Sequence, residues 1–156
     1  MERYDWERLS PLQVGKFAEY SAKMEFTLWG FDVFSAEVDE HGVDFVVRMH
    51  PGPYFDVQVK SARGHNYIFL QKDKFRPNDR LLAAIVLFQQ LQPPSLYVIP
   101  STQWLTPNKL LATRDYEGKK SLPEWGINLS QANMPILENY SFDRFIKSLP
   151  AGNGAV

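Results

Sequence analysis

The chain has 156 residues, 44% of them hydrophobic and 14% aromatic, so it can bury one sizeable core. It contains no cysteine, which excludes disulfides, thiol catalysis and cysteine-ligated zinc, and it favours a cytoplasmic location. The formal net charge is -1, so binding to nucleic acid would need a local basic patch.

The N-terminal region carries a strong signal for the start of a helix. Ser10 can cap the helix, Pro11 suits its first position, and Gln13 completes a capping box. The pattern predicts a helix over residues 11–29 that ends at Gly30.

On this helix a glutamate falls within a stripe of mostly apolar or small residues. The stripe contains Leu12, Gly15, Glu19, Ala22 and Phe26. A carboxylate on an apolar face must be paired, hydrated or bound to a metal, because burying it alone is too costly. The alternative is that Glu19 lies at the edge of the stripe and reaches water, or pairs with Lys16 or Lys23.

Three strands are predicted after the helix, over residues 31–37, 42–47 and 55–60, with turns over residues 39–42 and 50–53. The last two strands alternate apolar with polar residues, which is typical of a half-buried hairpin. Gln58 and Lys60 lie two apart on one strand and therefore share a face. A turn centred near Gly52 would place Asp44 opposite Lys60 and diagonal to Gln58.

The predicted hairpin thus brings together a carboxylate, an amide oxygen and an ammonium group. Metal-assisted attack on a phosphodiester needs oxygen ligands for Mg²⁺ or Mn²⁺ and a cation near the developing negative charge. Each residue also has a simpler explanation: Asp44 is a common type of turn residue, and Lys60 can be an ordinary solvent-facing strand residue.

The remaining chain alternates short strands with turns and ends in a helix. We predict a strand over residues 66–70, a helical turn over 71–75, strands over 81–88 and 95–99, a turn of helix over 101–105, a turn or short helix from Ser130 and a closing helix over 141–146 capped by Ser141. Residues 81–88 are all apolar, which favours a central strand buried on both faces, with a buried helix as the alternative. This longest apolar run is too short to cross a bilayer, so no membrane span is expected.

We predict one domain over residues 1–150 and a disordered tail over residues 151–156.

A basic segment follows the hairpin between residues 60 and 80. Its basic residues are Lys60, Arg63, His65, Lys72, Lys74, Arg76 and Arg80, with Tyr67 and Phe69 interleaved. Such a segment can contact a phosphate backbone, and the alternative is a solvated surface. We select Arg63, His65, Lys72 and Lys74 as candidate nucleic-acid contacts.

The order of these motifs resembles the PD-(D/E)XK nuclease superfamily. The matching segments are residues 15–20 with Glu19, residues 29–33, residues 42–44 ending in Asp44, and Gln-Val-Lys-Ser at residues 58–61. More narrowly, the chain is similar to small bacterial members of unknown function that carry a Gln-x-Lys variant of the motif. The resemblance implies an α/β fold with a restriction-endonuclease-like core: a mixed central sheet with an N-terminal helix, a motif-bearing β-hairpin and flanking helices.

The resemblance also implies an activity and the residues that perform it. It implies a divalent-metal-dependent nuclease acting on DNA, with Mg²⁺ or Mn²⁺ bound by Asp44, Gln58, the Val59 carbonyl and Glu19, and with Lys60 as the motif lysine. Gln58 stands where the superfamily usually has an acidic residue, so the site has two carboxylates at most. The alternative is a catalytically inactive module that binds nucleic acid or a protein partner. Many nucleases of this fold pair up to cut two strands, so a homodimer is an open prediction.

Overall fold

The computed structural model describes residues 2–38 and 41–150. The elements in chain order are helix α1 (Pro11–Leu28), strands β1 (Asp32–Ser35), β2 (Phe45–Arg48), β3 (Tyr54–Arg63), β4 (Tyr67–Gln71), β5 (Leu81–Phe88), β6 (Ser95–Pro100), β7 (Leu111–Arg114) and β8 (Glu124–Asn128), and helices α2 (Met134–Leu137) and α3 (Phe142–Ser148). Short 3-10 turns cover Trp6–Arg8, Ser101–Leu105, Gln131–Asn133 and Glu138–Tyr140. The predicted tail at residues 151–156, and residues 39–40 of the predicted turn, lie outside the described residues.

The strands form two sheets. The central sheet has five strands in the order β1-β2-β3-β5-β6 and is mixed, because β3 and β5 run parallel while the other pairs are antiparallel. The second sheet has three strands in the order β4-β8-β7. The mixed central sheet confirms the prediction, whereas β7 and β8 were not predicted.

Strand β5 lies between two hydrophobic clusters, which explains its unbroken apolar sequence. Residues Leu82, Ala84, Val86 and Phe88 pack with α1 and α3, and residues Leu81, Ala83, Ile85 and Leu87 pack with the second sheet. Alternate strand residues point to opposite faces, so a strand covered on both sides needs apolar residues throughout. The central strand is confirmed and the buried-helix alternative is wrong.

Helix α1 starts with the predicted capping box. The Gln13 amide nitrogen donates to Ser10 Oγ at 3.3 Å, and the Ser10 amide nitrogen donates to Gln13 Oε1 at 2.8 Å. The predicted apolar stripe is wrong, because Leu12 is 87% exposed. The buried face runs instead through Val14, Ala18, Ser21, Ala22 and Phe26. These positions follow the helical period of 3.6 residues, which places Glu19 beside the stripe.

The cap predicted for the closing helix is also incorrect in detail. Ser141 occupies the N-cap position of α3, but its side chain makes no capping hydrogen bond. Its backbone instead forms an isolated bridge with Tyr97 of β6. This pairing with the central sheet sets the entry of the chain into α3.

The β2–β3 hairpin forms as expected but in a different register. Phe45 pairs with Val57, and Arg48 pairs with Tyr54. The predicted register is therefore wrong by two residues, and Asp44 lies level with Gln58 rather than Lys60. The turn closes more tightly than expected, because the Gly52 amide donates to the Met49 carbonyl at 2.6 Å. A shift of two residues keeps every side chain on its face, so the predicted grouping of side chains survives the error.

Candidate functional site

An open pocket of about 350 Å³ lies where the β2–β3 hairpin meets the second sheet. Its lining residues are Gly42, Asp44, Gln58, Val59, Lys60, Phe69, Gln71 and Lys74. The structure therefore brings five of the predicted site residues into one pocket: Asp44, Gln58, Val59, Lys60 and Lys74. It adds Phe69 and Gln71 from β4, neither of which was predicted as a site residue.

Asp44 is held in place by the backbone of β3. Its amide nitrogen donates to the Val57 carbonyl at 2.9 Å, and its Oδ2 accepts from the Val59 amide nitrogen at 2.6 Å. Asp44 immediately precedes β2. Its carboxylate accepts the hydrogen bond from the Val59 amide that a backbone carbonyl would accept if β2 were longer. A charge-assisted bond to a rigid strand holds the carboxylate at the edge of the pocket.

Gln58 carries an unsatisfied polar atom inside the protein. The residue is only 8% exposed, and its Oε1 has no hydrogen-bond partner among the described residues. A buried acceptor left unpaired costs about 1–3 kcal/mol. Such groups are rare in folded proteins and point to a missing ligand, ion or water.

The Val59 carbonyl and the Lys60 side chain complete the β3 part of the pocket. Residues two apart on a strand direct their backbone groups to the same neighbour, so the Val59 carbonyl, like that of Val57, faces the β2 side. Val59 lies two residues beyond Val57, which pairs with Phe45, the first residue of β2. Lys60 is half-buried and forms no ion pair with any described residue.

Gly42 allows the loop before β2 to approach β3 closely. Its φ is +78°, a conformation that favours glycine. A Cβ at this position would lie 3.3 Å from Gln58 Nε2 and 3.4 Å from the Lys74 Cβ. The glycine thus lets three separate segments of the chain meet at the pocket.

Glu19 lies outside the pocket lining and is paired with a neighbour on its own helix. Its Oε2 accepts from Lys16 Nζ at 2.6 Å, and its side chain is 24% exposed. This was the alternative left open by the sequence. The hydrogen bond and the charge of Glu19 raise the pKa of Lys16, and the charge of Asp44 raises it slightly further. The Lys16–Glu19 pair therefore lies within electrostatic range of the pocket.

The four predicted nucleic-acid contacts have different surroundings. Arg63 donates to the Trp6 carbonyl at 3.1 Å and to the Leu9 carbonyl at 2.9 Å, so it anchors the N-terminal segment. Lys72 pairs with Asp115 at 2.6 Å and lies over the Trp125 ring, so it ties β4 to the rest of the second sheet. His65 is exposed, and Lys74 alone of the four lines the pocket. Counting basic residues could not separate these roles.

A second open pocket of about 500 Å³ adjoins the first through Lys74. Its lining residues are His41, Val43, Asp56, Asp73, Lys74, Arg76, Asn78 and Leu81. Carboxylates and cations are mixed here, so this pocket lacks a single sign of charge. Lys74 is the basic residue that both pockets share.

The oxygen donors at the first pocket fit a hard divalent cation. Asp44, Gln58 and the Val59 carbonyl present a carboxylate, an amide oxygen and a backbone oxygen, which are ligands that Mg²⁺ accepts together with water. The unpaired Gln58 Oε1 supports this fit. In the part of the chain that the structure describes, no group of three or more histidine, cysteine or acidic residues could hold a metal. Among the described residues, Asp44 is the sole acidic residue that lines the pocket, so we expect the metal to bind weakly.

Comparisons with known proteins bear on the fold. No protein-family model matches the sequence, and no curated protein matches it. Among solved structures, the chain is similar to Hjc, a Holliday junction resolvase from the archaeal hyperthermophile Archaeoglobus fulgidus. The TM-score is 0.53 at 12% identity, and the match covers 87% of this chain and 98% of that one.

The fold is restriction-endonuclease-like. At this level of identity the likeness concerns the fold alone. The bacterial homing endonuclease I-Ssp6803I is also similar, with a TM-score of 0.46, 19% identity, and coverage of 84% of this chain and 95% of that one. No helix in the described part of this chain has the length and apolarity that a membrane span requires.

Proposed function

We propose that this chain is a divalent-metal-dependent nuclease that hydrolyses phosphodiester bonds in DNA. The observation that supports this most strongly is the pocket in which Asp44, the unpaired oxygen of Gln58 and the Lys60 ammonium meet. The restriction-endonuclease-like fold adds support to this proposal, because the resemblance implies a nuclease site on the β2–β3 hairpin, where this pocket lies.

In this proposal Asp44, Gln58 and the Val59 carbonyl hold Mg²⁺ or Mn²⁺. A bound divalent cation supplies a Lewis acid and lowers the pKa of water to yield a nucleophile near neutral pH. Asp44 can serve as a ligand while it accepts from Val59, because a carboxylate has about four acceptor sites. Glu19 takes an outer role: its carboxylate adds negative charge from the helix side and interacts with the site through water.

Lys60 provides the positive charge that the reaction needs. Its ammonium donates hydrogen bonds to a non-bridging phosphate oxygen and to the attacking water, so the water is oriented and the negative charge of the phosphorane is stabilised. The half-buried position of Lys60 strengthens this effect, because a charge in a partly dry pocket is less screened than one in bulk water.

Contact with the DNA backbone is proposed to rest mainly on Lys74, with His65 as an exposed outer contact. Arg63 and Lys72 already bind other parts of the chain, so their contribution to DNA binding would require those contacts to be shared. With a net charge of -1, the protein as a whole does not attract DNA. We therefore expect weak and strongly salt-dependent binding.

One observation favours a second candidate function, a catalytically inactive module that binds nucleic acid. Within residues 2–38 and 41–150, Asp44 is the only acidic residue that lines the first pocket, since Gln58 is neutral and Glu19 lies outside the lining and is paired with Lys16. A site with a single carboxylate could retain the shape of a nuclease pocket without holding a metal.

The test is cleavage of plasmid, single-stranded and branched DNA in Mn²⁺ and in Mg²⁺ by the wild type and by Asp44→Asn. Asp32→Asn, which changes an exposed aspartate on β1, is the matched control. We expect metal-dependent cutting by the wild type and the control and none by Asp44→Asn. No cutting by the wild type, or equal cutting by Asp44→Asn, would exclude the proposed nuclease site and leave the binding module.

A further inference from the structure

Phe69 is an exposed aromatic side chain in an otherwise polar pocket. It is 51% exposed, whereas its strand neighbours Ile68 and Leu70 are buried in the core between the two sheets. It lines the same pocket as Asp44 and Lys60. The Phe69 ring therefore does not belong to the core, although its strand is well packed from the opposite face.

The residues across the second sheet leave this ring uncovered. Phe69 pairs with Gly126 of β8, which in turn pairs with Ala112 of β7, so its row carries only one large side chain. The neighbouring Tyr67 is not equally open: a Cβ on Gly126 would overlap its ring, and the Arg114 guanidinium lies 4.3 Å from its centroid. Of these two rings on one face of β4, Phe69 is the more exposed.

We propose that Phe69 stacks on an unpaired nucleobase and so positions the adjoining phosphate at Asp44 and Lys60. This inference rests on the proposed nuclease function and specifies its substrate: DNA with at least one unpaired nucleotide at the cut. The bases of an intact duplex are stacked on one another and cannot offer a face to the ring, whereas an unpaired base can.

The pocket has the two features that single-strand binding requires. Cationic side chains next to the pocket can contact the phosphates of the strand, and an exposed aromatic ring can stack against the flat face of any base. Lys60 and Lys74 supply the charge, and Phe69 supplies the ring. Because every base has such a face, the selection is for unpaired structure and carries little sequence preference.

The experiment measures binding of a fluorescently labelled single strand and of its duplex by anisotropy in Ca²⁺, for the wild type, Phe69→Ala and Phe69→Leu. Phe34→Ala is the matched control, because Phe34 is equally exposed on β1 and does not line the pocket. We expect Phe69→Ala to weaken single-strand binding about 5- to 150-fold, the range measured for loss of one stacked base. Duplex binding should change less than about twofold, and Phe34→Ala should behave as the wild type.

The Leu variant and a parallel cleavage assay in Mn²⁺ make the result decisive. Loss of single-strand binding in both Phe69 variants supports stacking. Wild-type binding by Phe69→Leu, unchanged binding by Phe69→Ala, or an equal loss on duplex overturns the inference. In those cases the proposed function still stands if the wild type cuts DNA and Asp44→Asn does not. A wild type that neither binds nor cuts DNA overturns both.

Discussion

Replacing Gln58 by methionine should make the protein more stable and less active. Gln58 is 8% exposed, and its Oε1 has no hydrogen-bond partner among the described residues. Methionine has a similar length and fills the same space without a polar atom. The substitution therefore removes the buried unpaired oxygen while it leaves the packing of the hairpin nearly unchanged.

The expected gain in stability follows from the energetic cost of leaving that oxygen unpaired. An unpaired buried acceptor destabilises a fold by about 1–3 kcal/mol, and replacement by an apolar group of the same shape recovers much of this. We expect the free energy of unfolding to rise by about 1–2 kcal/mol. For a chain of this size, that corresponds to a rise in Tm of about 2–8 °C. Cleavage should fall about 100-fold, equivalent to ~2.7 kcal/mol of lost transition-state stabilisation, because the pocket loses an oxygen ligand.

Urea unfolding followed by tryptophan fluorescence, together with thermal melting, measures the stability change. The matched control is Gln71→Met, which removes an amide from the same pocket. Gln71 is half-buried, and its side chain is not among the buried unpaired polar groups of the described residues. This control should be neutral or slightly destabilising. A loss of more than about 1 kcal/mol in Gln58→Met would refute the reasoning, since it would mean that the oxygen has a stabilising partner in solution.

Three further predictions concern charge. Gln58→Glu places a second carboxylate beside Asp44, so without metal we expect the free energy of unfolding to fall by about 1–3 kcal/mol. Mn²⁺ should raise the Tm of this variant more than that of the wild type. Thermal melts in Mn²⁺ and in EDTA measure this, and an equal Mn²⁺-dependent rise in the Tm of both proteins would contradict it. Lys74→Ala should weaken DNA binding and reduce the slope of log K against log salt by about 1, whereas Lys72→Ala, which breaks an ion pair within the second sheet, should lower Tm more than it changes that slope. Burial raises the pKa of Tyr67 from 10.0 to about 12, so the unfolded chain ionises first and stability should fall as the pH rises from 10 towards 12. Tyr67→Phe should flatten this fall in pH-dependent urea unfolding, and an unchanged curve would exclude Tyr67 as its source.

Several errors of the sequence-based predictions share one cause. The predicted apolar stripe of α1 begins at Leu12, whereas the observed buried face begins at Val14, so the prediction puts Glu19 on a buried stripe. The predicted hairpin register differs from the observed one by two residues, because the prediction centres the turn on Gly52. In both cases the local pattern was recognised, but its phase depends on packing against distant parts of the chain.

The amino-acid sequence by itself determined the features that depend on near neighbours. The capping box at Ser10 and Gln13, the alternation of the hairpin and the apolar β5 are all readable because their causes act over a few residues. The grouping of Asp44, Gln58 and Lys60 was predictable for the same reason, since strand alternation survives an even shift in register.

Only the tertiary structure decided which side chains remain available at the site. Arg63 and Lys72 were indistinguishable from Lys74 in sequence, yet the first two bind distant partners and the third lines the pocket. Phe69 lines the pocket because β4 lies outside the central sheet and pairs with β8, a strand that was not predicted from the sequence. Hydrogen bonding and packing between residues far apart in the chain select such partners, and no local pattern encodes that choice.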